Sequence, residues 1–143
     1  MRFIAAVSLA ALASASGIFA GAVDEFQPTV RASGAWIQAP APGTTDASAF
    51  VVVDNGTMYD IYIVGAYTDA ADILELRDTP KGAATPVPVK EVPVAAYGRL
   101  EMSPHAVHLH LGKLARPLVA GDVVTLVIYT DIGEQLTISA TVK

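Results

Sequence analysis

Cysteine is absent from this chain of 143 residues. That excludes disulfides, thiolate-bound metals and thioredoxin-like chemistry, and leaves an oxidising compartment open to the protein. Basic residues are scarce: nine Lys and Arg stand against fourteen Asp and Glu, a net charge of −5. Such a surface argues against nucleic acid, whose affinity rests on cationic contacts to phosphate. No GxSxG elbow and no glycine-rich phosphate loop occurs. Ser103 reads as a turn residue before Pro104 rather than as a nucleophile. Glu75 and Asp78 read as solvated carboxylates at a strand end. These absences leave no positive case for an enzyme. Beyond the N-terminal segment no apolar run is long enough to span a bilayer, which takes about 20 residues.

What is present begins with MRFIAAVSLAALASASGIFAGA. One arginine precedes an apolar run from Phe3 to Ala13, and small residues follow. This is the layout of a secretory signal peptide, with cleavage expected before Val23 and nearly as well before Gly21. The expectation is a leader over 1–22 and one exported, periplasmic domain over 23–143, with no membrane insertion of the mature chain. A domain of that size can bury a real core.

The mature region reads as short strands separated by turn residues, with almost no helical periodicity. FVVVDNG (50–56) is a β-branched run closed by Asn55-Gly56, and QLTISATVK (135–143) alternates with Leu136, Ile138, Ala140 and Val142 on one face. Further runs cover 58–67, 72–78, 87–94, 98–102, 105–111 and 122–130. Near-regular strands of this kind predict an all-β sandwich or barrel. Pro86, Pro88 and Pro93 place 87–94 at an edge or in a loop, because proline cannot donate to a ladder. Trp36, the single tryptophan, reads as a core or strand-edge anchor.

All three histidines lie in HAVHLHL, residues 105–111. His108 and His110 are two apart, so a strand places both rings on one face and Val107, Leu109 and Leu111 on the other, toward the core. Two imidazoles on one face can begin a site for copper, zinc or nickel, or can simply decorate an exposed strand. His105 follows Pro104, where a turn could swing it toward the pair or away. Met102, just upstream, carries a soft thioether suited to Cu(I).

The order of these motifs matters more than any one of them. ASGAWIQAPAPGTTDASAFVVVDNG near the start and HLHLGKLARPLVAGDVVTL near the end together resemble the PCu(A)C family of periplasmic copper chaperones, from about Val30 to Val142. The resemblance implies a cupredoxin-like β-sandwich, a Greek-key barrel in kind, that carries Cu(I) on a His…Met…His-x-Met set. Carried over residue by residue, only the histidine of His-x-Met survives, as His108. His110 replaces the methionine of that pair, Arg77 in ELRD stands at the first histidine, and the remaining methionine position falls on Pro86.

This exchange of thioether for imidazole favours Cu(II) or another divalent ion over Cu(I). His105, Met102, a carboxylate such as Glu75, water or a second subunit would have to complete the shell. Arg77 would repel a cation unless Glu75 or Asp78 neutralises it. The readings that follow are a copper-binding protein delivering copper to a partner cuproprotein (an oxidase or oxygenase), a member that has lost copper and serves as an interaction or scaffold module, and, least favoured, a metal-dependent enzyme.

Overall fold

The computed structural model describes residues 29–143, in which the alternating apolar pattern becomes ten strands and no helix. The expected leader over 1–22 and the domain start at 23 lie outside the described residues. The strands are β1 (Val30–Gln38), β2 (Ala47–Asn55), β3 (Ile61–Tyr67), β4 (Ala71–Asp78), β5 (Val87–Pro88), β6 (Val92–Val94), β7 (Arg99–Glu101), β8 (His108–Leu114), β9 (Val123–Thr130) and β10 (Gln135–Val142). They form one sheet in the order β5-β4-β8-β2-β1-β10-β9-β3-β6, with β7 also pairing β2. All pairings are antiparallel except β1 with β10. Among the described residues no helix is long and apolar enough to cross a membrane.

The sheet curls around a core of inward-facing aliphatics. Ile37, Ala49, Val53, Ile63, Leu109, Leu111, Leu126, Ile128 and Ala140 have no exposed surface. The alternation in β10 is borne out: Ala140 and Val142 are buried and Leu136 and Ile138 pack against the core. The proline-bearing stretch becomes two fragments, β5 and β6, at the two ends of the strand order. There the missing N–H groups interrupt no central ladder. The run at 58–67 starts later than its sequence suggests: Tyr59 is exposed in the loop and β3 begins at Ile61.

Two details of β1 and β2 position the rest. Gly34 has φ of +60°, and the register against β2 steps from Ser33 opposite Val52 to Trp36 opposite Phe50. That step inserts one extra residue, a β-bulge of the type that glycine accommodates. Without it Trp36 would face the core; with it, Ile37 faces the core and Trp36 turns to the opposite face.

At the far end of β2, Asn55 is buried. Its Nδ2 donates to the carbonyls of Tyr59 (2.8 Å), Val94 (3.0 Å) and Ala95 (3.1 Å). Its Oδ1 accepts from the backbone N–H of Thr57 (2.9 Å) and its hydroxyl (2.7 Å). Gly56 follows because a Cβ there would lie 2.8 Å from Thr29 O. Asn55→Ala is expected to cost about 3 kcal/mol, since several groups lose their partner at once. Urea unfolding checks this, and a loss below about 1 kcal/mol would show the network to be dispensable.

Candidate metal centre

β8 is held on both sides. His110 lies opposite Ser48 of β2 and Glu75 of β4, and His108 lies opposite Arg77 of β4. Directly opposed residues share a face. His108, His110, Glu75, Arg77, Ser48 and Phe50 therefore project on the side away from Leu109 and Leu111, as the spacing of the two histidines implies. The bulge in β1 adds Trp36 to this face. The ring centroids of Trp36 and Phe50 are 4.5 Å apart, and those of Phe50 and His108 are 6.1 Å apart.

His108 is 4% exposed, and its Nδ1 lies 2.9 Å from the carbonyl oxygen of Ala106. A carbonyl only accepts, so the neutral ring carries its proton on Nδ1 and its lone pair on Nε2. Metal-binding histidines are commonly oriented by this kind of bond. The His110 side chain is 16% exposed, and its Nε2 lies 3.7 Å from Oδ2 of Asp46. Burial is the main cause that lowers the His110 pKa from its ordinary 6.5, with the Arg77 guanidinium adding to it, while Asp46 and Glu75 oppose the shift. The ring thus stays neutral, with its lone pair free, to a lower pH than an exposed histidine. An NMR titration of His110 is expected to give a midpoint below 6.5, moving upward in Arg77→Gln. A midpoint at or above the ordinary value would contradict this environment.

Arg77 does not point an unpaired charge at the histidines. Its Nη2 and Nε both donate to Oε1 of Glu75, at 2.6 and 2.8 Å, the neutralisation that the sequence demands of Glu75 or Asp78. Asp78 is turned instead to the backbone N–H of Thr79 (2.7 Å).

The other sequence candidates fall elsewhere. The run 105–111 is not all strand. Ser103 to Val107 form a turn closed by Ser103 N to Val107 O (3.1 Å) and Ala106 N to Ser103 O (3.2 Å), and β8 starts only at His108. His105 sits exposed in that turn. Met102 donates its backbone N–H to Val51 O and is 7% exposed within the hydrophobic core. Val51 and Ala49 share the core face, so the Met102 thioether lies on the other side of the sheet from the two imidazoles. Met58 is exposed in the loop after β2. Among the described residues no three His, Asp or Glu side chains gather closely enough to hold a metal as they stand. Asp46, which the sequence presents only as the last residue of a turn-rich stretch, is the neighbour that sequence reasoning missed. No local pattern signals it, because its nearness to His110 depends on the pairing of β2 with β8.

The family model LpqE-like matches residues 30–142. The chain belongs to this family and is PCuAC-like in fold. Among solved structures, copper(I)-bound DR1885 from Deinococcus radiodurans is 30% identical, with TM-score 0.65 over 87% of this chain and 83% of that one. The copper-bound PCuAC domain from PmoF2 is 18% identical, with TM-score 0.70 over 83% of this chain and 97% of that domain. The apo PCuAC domain from PmoF1 is 16% identical, with TM-score 0.71 over 83% and 98%. No curated protein matches the sequence. The all-β, cupredoxin-like architecture expected of this PCuAC-like domain is thereby borne out.

Proposed function

We propose that this PCuAC-like domain is an exported, periplasmic copper-binding protein that takes copper at His108 and His110 and passes it to a partner cuproprotein. Copper is its cargo, and no catalysis is involved. The observation that carries the reading is the pair itself. Two imidazoles share one face of β8, and the Nδ1 contact of His108 with Ala106 leaves Nε2 as its donor nitrogen. Copper-bound PCuAC domains among the structural relatives support copper as the ion. Nitrogen and oxygen donors favour the Cu(II) state or another divalent ion. The LpqE-like family membership and the sequence layout at 1–22 support export.

Aerobic and anaerobic copper titrations of the purified protein test this reading. The expected result is saturation at one equivalent of Cu(II), with an electron paramagnetic resonance spectrum showing two nitrogen donors. Non-saturating binding would defeat it. The second reading, an interaction or scaffold module without copper, draws on Arg77, which stands where a donor histidine is expected and is locked to Glu75. Absence of tight copper binding together with capture of a cuproprotein would favour it.

A further inference from the structure

We propose that Asp46 is a third ligand of the metal, supplying an anionic oxygen that makes the centre selective for divalent copper. This rests on the assignment of His108 and His110 as copper donors and adds the residue that the sequence did not suggest.

Three observations converge on Asp46. The first is distance. Two ligands on one metal, each about 2.1 Å from it, stand roughly 3.0 Å apart at a right angle and about 3.4 Å apart at a tetrahedral one. Nε2 of His110 and Oδ2 of Asp46 are 3.7 Å apart, so less than about 1 Å of closure brings both onto one ion. The Asp46 side chain is 59% exposed, and a change of rotamer can supply this movement.

The second is availability. Of the carboxylates near the pair, Glu75 receives two donors from Arg77 and Asp78 receives the Thr79 N–H. Among the described residues Asp46 forms no ion pair with Lys or Arg, and its one close side-chain contact of this kind is the His110 ring. It is the carboxylate free to neutralise an incoming cation, while the Arg77–Glu75 pair contributes no net charge.

The third is access. Asp46 lines an open cavity of about 550 Å³ formed by the loop joining β1 to β2 and the strand ends beside it, together with Gln38, Thr44 and Ser48. Ser48 is the residue directly opposite His110. Neither imidazole lines this cavity; Asp46 and Ser48 are what connect it to the histidine face of the sheet. On β8, Gly112 lies beside this ring: a Cβ there would meet Nε2 of His110 at an ordinary contact distance of 3.6 Å and would crowd the Cβ of Ile73 at 3.2 Å. A hard carboxylate oxygen strengthens binding of Cu(II) and does little for Cu(I).

The test compares Asp46→Asn and Asp46→Ala with wild type, His110→Ala and Glu101→Gln. Glu101 is exposed on β7 and controls for the loss of one surface charge. Cu(II) and Cu(I) affinities are measured by ligand competition. The Asp46 variants are expected to lose on the order of tenfold to a hundredfold in Cu(II) affinity, to change Cu(I) affinity by no more than about twofold, and to alter the Cu(II) hyperfine pattern. Glu101→Gln should match wild type. If His110→Ala weakens Cu(II) but the Asp46 variants do not, or if Glu101→Gln weakens it equally, the role of Asp46 is overturned and the histidine site stands. If His110→Ala is also without effect, the proposed function falls with it.

Discussion

Replacing His108 and His110 together by alanine is expected to abolish saturable copper binding. In the proposed site the two rings are the nitrogen donors, and among the described residues the thioethers lie in the core at Met102 and in an exposed loop at Met58. Even residues that merely orient a metal ligand are worth about 10–100-fold in affinity, so each single change should cost on the order of a hundredfold or more. Competition titration with a chelator of known affinity measures this. The fold should survive at reduced stability: the His108 bond to Ala106 is worth about 1 kcal/mol, and truncating its buried ring adds a packing cost. Circular dichroism and thermal melting separate loss of donors from loss of structure. Copper affinity unchanged in the folded double variant would remove His108 and His110 from the site.

Phe50→Ala is expected to be the most damaging single substitution to stability, at about 3–5 kcal/mol. Phe50 is 1% exposed and fills the space between Trp36 and His108. A truncated side chain leaves a cavity that β2 cannot close, because its neighbours β1 and β8 fix it from both sides. The site suffers as well. With the support behind His108 gone, its ring gains rotamer freedom and copper affinity in the remaining folded molecules should fall. Phe50→Leu fills most of the volume and is expected to lose less than half as much. Urea unfolding of the three proteins decides this, and equal stability of wild type and Phe50→Ala would show that the aromatic column bears no weight.

The local features of this protein were legible without a structure. The two-residue period of Leu136 to Val142, the prolines that fit only edge strands, and the shared face of His108 and His110 all follow from the geometry of a single strand. The order of motifs from Val30 to Val142 brought the family and the all-β fold with it, and the need of Arg77 for a carboxylate partner was equally readable.

Tertiary structure alone decided which residues meet. The glycine bulge at Gly34 turned Trp36 to the face of the sheet opposite Ile37 and onto Phe50, beside His108. The turn closed between Ser103 and Val107 left His105 exposed. The register of β7 on β2 carried Met102 to the core side of the sheet, and the pairing of β2 with β8 brought Asp46 to His110. The physical reason is common to all four. Side-chain alternation is a property of one strand, whereas the register between strands is set by long-range pairing and by single-residue bulges, and a shift of one residue exchanges the two faces.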